Sequence, residues 1–154
     1  MIEQIIEAAF MAKIAELNLP GLAVYGFWQP TETGIPKCRE SAAPAVLGVI
    51  TAPRSFETFT SAKASITTAT TLKVRRDLCP TGAELATYTK PLFDLFQTWQ
   101  TSINQVKTDF TLADENEAPI FTPHGFKIDG GNVSTDQNEK TWIVTQTFTL
   151  RGVI

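Results

Sequence analysis

Residues 64–84 read ASITTATTLKVRRDLCPTGAE, and the fold turns on them. Over residues 64–76, Ile66, Thr68, Thr70, Leu72 and Val74 share one side of an extended chain, and Ser65, Thr67, Ala69, Thr71, Lys73 and Arg75 share the other. That is the period of two that marks a strand. The period then changes. Thr81-Gly82-Ala83-Glu84 fits a capping box, in which a Thr hydroxyl and a Glu carboxylate satisfy reciprocal backbone N–H groups. Leu85, Tyr88, Leu92, Leu95, Phe96, Trp99, Ile103 and Val106 follow at spacings of three and four, which predicts a long amphipathic helix to about Lys107. Pro91 is expected to kink or split it.

Toward the N-terminus, Ile2, Ile5, Ile6, Ala9, Phe10, Ile14 and Leu17 predict a first helix, with Glu3, Glu7, Lys13 and Glu16 on its other face. Asn18 suits a left-handed C-cap and Pro20 forbids continuation. Residues 22–28 predict an aromatic-bearing strand, 29–44 a long loop, and 45–51 (AVLGVIT) a strand covered on both faces. Residues 54–63 fit either a loop or an edge strand. Toward the C-terminus, 108–119 reads as an acidic connector and 120–128 as a strand whose Pro123 places its first half at a sheet edge. Residues 129–140 are expected to form a long hairpin loop. The last strand, 141–151, sets Trp142, Val144, Gln146, Phe148 and Leu150 against Ile143, Thr145, Thr147, Thr149 and Arg151. The expected fold class is α+β in a single domain over residues 1–154. Its mixed or antiparallel sheet has about four to six strands with two helices on one face, in the order α-β-β-β-α-β-β.

Composition narrows the function. Hydrophobic residues are 43% and charged residues 19%, against a usual charged share of about 25%. Threonine, about one residue in seven, fills the gap. Net charge is −3, so no electrostatic footprint for nucleic acid exists, and the longest basic run is Lys73-Val74-Arg75-Arg76. The opening Met1-Ile2-Glu3-Gln4 lacks the positive charge of a signal peptide, and no apolar run approaches the roughly 20 residues of a membrane span. Cys38 and Cys79 are expected to be a reduced, cytosolic pair.

The search for chemistry is negative: none of the HExxH, GxSxG, GxxxxGK[ST] or GxGxxG patterns occurs. Any catalytic triad would have to be built on the only histidine, His124, which lies in a turn-prone Thr-Pro-His-Gly stretch. Asp114-Glu115-Asn116-Glu117 and Asp129-Gly130-Gly131-Asn132 carry hard oxygen ligands without the spacing of a calcium loop. No catalytic, cofactor or metal site is expected. Trp28, Trp99 and Trp142 fall on apolar faces and read as core. What stands out is neutral surface: Ser65, Thr67 and Thr71 on one strand, Thr145, Thr147 and Thr149 on another. Such faces are either solvated or packed against a second copy of the chain. The Lys73, Arg75, Arg76, Asp77 knot suits either inter-subunit ion pairing or a solvated corner.

The layout resembles the tail-terminator (minor tail, tail-completion) proteins of long-tailed bacteriophages. The resemblance lies in a short N-terminal helix followed by Val24-Tyr25-Gly26-Phe27-Trp28, and then a covered strand opening Pro44-Ala45-Val46-Leu47. A long polar strand next runs into the Pro-interrupted helix at Tyr88-Thr89-Lys90-Pro91-Leu92. It continues in a His-Gly-Phe-Lys-Ile strand, an Asp/Asn-rich loop and the closing Trp-Ile-Val-Thr-Gln-Thr-Phe-Thr-Leu strand. The longer loop at 29–43 and the extra segment at 54–63 depart from the pattern. The resemblance implies a hexameric ring that caps the tail tube, ends its polymerisation and presents the head–tail joining surface. Its implied partners are copies of itself, the tail tube protein and the head–tail connector protein, with no nucleic-acid sequence recognition and no membrane. Its implied location is the virion tail, and the host cytoplasm during assembly. The long loops are expected to make the axial contacts with tube and connector, the Thr faces to contact neighbouring subunits or the tube, and the basic knot to pair between subunits. The alternatives are another neck or tail-joining component, or a small α+β ligand-binding or enzymatic domain.

Overall fold

The computed structural model describes residues 2–29, 43–56 and 62–154. Helix α1 spans Ile2–Ala15 and ends at Asn18, whose φ of 50° is the expected left-handed cap. Strands β1 (Leu22–Gly26), β2 (Ala45–Thr51), β3 (Ser55–Phe56) and β4 (Lys63–Arg75) follow. Helices α2 (Gly82–Thr101) and α3 (Ile103–Phe110) come next, then β5 (Leu112–Ala113), β6 (Pro119–Asp136) and β7 (Thr141–Val153). The sheet order is β1-β2-β4-β7-β6-β5, with β3 paired to β4. β1 lies parallel to β2 and every other pair is antiparallel, so the fold is α+β around a mixed sheet, as expected.

Four details of the expectation change. The sheet has seven strands and three helices pack on it, not two. The second helix runs through Pro91 and stops at Ser102 instead. There the Ser102 N–H closes α2 on the Thr98 carbonyl, and its hydroxyl accepts the Gln105 N–H at 3.3 Å to open α3. The expected hairpin loop at 129–140 is strand as far as Asp136, so only 137–140 turns. Gly130-Gly131-Asn132 resembles turn chemistry, but pairing to Thr147, Gln146 and Thr145 holds it extended. Finally, Glu3 and Glu7, placed on the solvent side of α1, are buried. The long loop at 29–44 and Cys38 lie almost wholly outside the described residues.

The three helices share one face of the sheet. Leu47, Val49, Ile66, Leu72, Val74, Val144, Phe148 and Leu150 meet Ile6, Phe10, Leu92, Phe96, Trp99 and Phe110 in one core. Its centre is aromatic. Phe10 packs edge-on to Trp99 at 5.3 Å between centroids and lies 4.8 Å from Phe110. Gly152 lets the chain pass under Phe121: a Cβ there would sit 2.5 Å from the ring.

Polar ties fix the helices. The Asp109 carboxylate accepts the Trp99 indole N–H at 2.6 Å and the Gln105 amide at 2.7 Å, and Lys13 of α1 pairs with it at 3.1 Å. Burial alone would raise this carboxyl, but those hydrogen bonds hold it below its usual range. One side chain of the supposed acidic connector thus joins all three helices.

Candidate assembly surface

Alternation along the strands decides what faces away from the helices. On β4 the outward residues are Ser65, Thr67, Ala69, Thr71, Lys73 and Arg75, and all are exposed or half-buried. Register sets Thr67 beside Thr149, Ala69 beside Thr147, and Thr71 beside Thr145. β6 adds Lys127, Gly130 and Asn132 in the same rows, and β2 adds Gly48 and Ile50. The structure therefore brings Thr145, Thr147 and Thr149 together with the β4 threonines in one largely neutral patch, bordered by Lys127 beside Thr149 and Arg151 beside Ser65. Among the described residues no helix lies over it. Gly48 leaves a depression of about 290 Å³ between Val46, Ile50, Thr71 and Lys73. One short contact crosses the patch: the Thr149 hydroxyl donates to Asp129 at 2.5 Å.

The basic knot sits at one end of this face and is largely neutralised within the chain. Arg75 forms a two-pronged pair with Asp77, at 3.1 and 2.6 Å, and holds that carboxyl below its usual range. Lys73 lies 3.6 Å from Glu139. Arg76 places its guanidinium 5.5 Å from the centroid of the Trp142 ring, while the indole N–H donates to the Cys79 carbonyl at 2.7 Å. Lys73, Arg75, Arg76 and Asp77 thus cluster, as a corner beside the threonines and not within them. His124 is exposed in a bulge of β6, skipped between the Pro123–Gly152 and Gly125–Arg151 pairs.

Sequence reasoning missed the clasp at the opposite end of the sheet. Glu3 grips Arg54 through both carboxylate oxygens, at 2.7 and 2.8 Å, and also accepts the Arg54 backbone N–H. Arg54 thereby pulls the Glu3 pKa down to about 2. Glu7 accepts the Trp28 N–H at 2.7 Å and the Thr51 N–H at 3.1 Å. Burial raises its pKa, although those N–H groups favour the charge. Gln29 donates to the Gln4 carbonyl at 2.8 Å, so both chain ends bordering residues 30–42 are anchored, Trp28-Gln29 here and Pro44 through its carbonyl to Arg75 N–H. The only sequence signal was a pair of acids one turn apart at the start of an apolar helix.

Among the described residues no group of three or more His, Cys, Asp or Glu side chains is placed to hold a metal ion. No described helix is long and apolar enough to cross a membrane. No family model and no curated protein matches the sequence. Solved structures do match. One is a chain of the virion of a native gene transfer agent (GTA) particle, 10% identical, covering 93% of this chain and 86% of that one, with a TM-score of 0.50. At that identity the likeness is one of fold.

Proposed function

We propose that the chain is a structural subunit of a phage-like virion. In this reading it caps the tail tube as a homohexameric ring, ends tube polymerisation and forms the head–tail joining surface. Its partners are copies of itself, the tail tube protein and the head–tail connector protein, and it carries no catalytic residues and needs no cofactor. It acts in the virion tail after assembling in the host cytoplasm. The observation that carries the reading is the uncovered sheet face, where Thr67, Ala69, Thr71, Thr145 and Thr147 replace the charge usual on a solvated surface. Low-charge surface of this kind marks interface centres. The fold shared with a chain of a GTA virion supports the same class of protein.

The test is co-expression with a tail tube protein of a phage-like particle, with tube lengths and ends viewed by negative-stain microscopy. Capped tubes of uniform length are expected. Tubes that lengthen without limit and bind no ring would sink the reading. A ring found only on the head side would favour a neck component instead.

A further inference from the structure

Among the described residues, the two ends of the sheet order are open. β5 pairs with β6 only at Pro119 and Phe121, so β6 beyond Phe126 has β7 on one side and no described strand on the other. Among the described residues, β1 likewise has β2 on one side only. Open edges are usually blunted by charge, proline or a covering element. Here residues 130–135 read Gly-Gly-Asn-Val-Ser-Thr and β1 reads LAVYG, with no charge and no proline in either.

Which backbone groups point outward follows from two hydrogen bonds. The Ile128 N–H donates away from β7, to the Gln100 side chain at 2.8 Å. Ile128 faces Phe148, and across the bulge Gly131 faces Gln146 and Val133 faces Val144, two residues apart along β7 each time. Antiparallel pairing alternates with that period, so Gly131, Val133 and Thr135 also turn their N–H and C=O groups outward. On β1, Phe27 donates inward to the Val49 carbonyl at 3.0 Å, which turns Val24 outward. Among the described residues, no turn or side-chain hydrogen bond engages these groups.

Each open edge also borders a groove of mixed polar and apolar lining. Along β6 it holds about 420 Å³, lined by Phe93, Phe96, Ile128 and three glutamines, with Phe93 41% exposed. Along β1 it holds about 350 Å³, lined by Ile14, Ala15, Asn18, Leu19, Leu22 and Val24.

We propose that copies of the chain join edge to edge, the open arm of β6 in one copy pairing with β1 of the next. β1 runs opposite to β6 within one sheet, so a copy rotated about an axis along the strands presents β1 antiparallel to β6. The helical layers then meet on the same side, with Phe93 of α2 facing the groove beneath α1 of the neighbour. Such a contact joins unlike surfaces and so propagates, closing when the rotation fits a whole number of copies. The inference rests on the proposed function only for that closure; the pairing itself stands on the two edges.

The experiment uses the full chain, by analytical ultracentrifugation over a concentration series, with hydrogen exchange on the oligomer and on the diluted protein. Val133→Pro removes one outward N–H and leaves the ladder to β7 intact; Val133→Lys places charge on the edge. Both should weaken association roughly tenfold or more. Amides of Gly131, Val133, Thr135 and Val24 should exchange slowly only in the oligomer. A wild-type chain that stays monomeric, an oligomer unchanged by both variants, or protection that leaves these amides out would each overturn the proposal. If Val133→Pro fails to fold, Val133→Lys and the exchange pattern decide. Oligomers that behave as expected but never bind tail tubes would count against the tail reading alone.

Discussion

The Glu7 carboxylate accepts the backbone N–H of Trp28 at 2.7 Å, 21 residues further along the chain. The bond ties α1 to the chain leaving β1, and the other Glu7 oxygen ties it to the last residue of β2. Glu7→Ala leaves two inward N–H groups unpaired and a void, so a loss of about 2–4 kcal/mol is expected in urea unfolding.

Glu7 also sets a pH trend. Its folded pKa is raised, so the folded state binds the extra proton, and its contribution to stability is greatest below the unfolded value of 4.5 and declines as pH rises through the folded pKa. Glu7→Gln should remove that decline. Denaturation midpoints from about pH 4 to about pH 8 check this; equal slopes in both proteins would refute it.

Glu3 behaves in the opposite sense. With a folded pKa of about 2 against 4.5, its pairing stabilises fully above the unfolded value and is lost as pH falls toward 2. Arg54→Ala should cost roughly 2–3 kcal/mol at neutral pH and less in acid. The difference from wild type should therefore shrink on acidification.

Asp109→Ala frees the Trp99 indole N–H, the Gln105 amide and Lys13 together. A loss of about 2–3 kcal/mol is expected. Tryptophan fluorescence should shift, because Trp99 lies at the centre of the aromatic core.

The neutral face separates assembly from folding. If the neutral face is the assembly surface proposed above, Thr147→Glu should change stability by no more than about 1 kcal/mol and abolish assembly. The double reversal Arg75→Glu and Arg76→Glu tests the corner beside it: lost assembly with an unchanged melting temperature places the corner in the interface.

Most of the fold was legible because burial follows period. Residues 64–76 and 141–151 alternate cleanly, and the structure pairs them across thirteen positions from Lys63–Val153 to Arg75–Thr141. The neutral face was legible for the same reason. Pro91 misled because the helix accommodates it, whereas Ser102, unmarked by any breaker residue, ends one helix and caps the next. Gly130 and Gly131 misled because local turn preference lost to long-range pairing with β7. The clasp was illegible for two reasons: Glu7 rests on the backbone N–H groups of Trp28 and Thr51, which no side-chain pattern announces, and Glu3 pairs with the Arg54 guanidinium 51 residues away, beyond any local spacing.

The bulge in β6 has a bearing on which changes of length the chain tolerates. Asp129 is left out between the Ile128–Phe148 and Gly130–Thr147 pairs, so β6 carries one residue more than β7 matches there. Deleting Asp129 would keep every facing pair on both sides and forfeit its bond to Thr149. Deleting a residue among 131–135 instead would turn the rest of the arm over, exchanging its two faces. Position 129, like the His124 bulge nearer the start of β6, is thus a place in this hairpin where the chain can lose a residue without rewriting the surface beyond it.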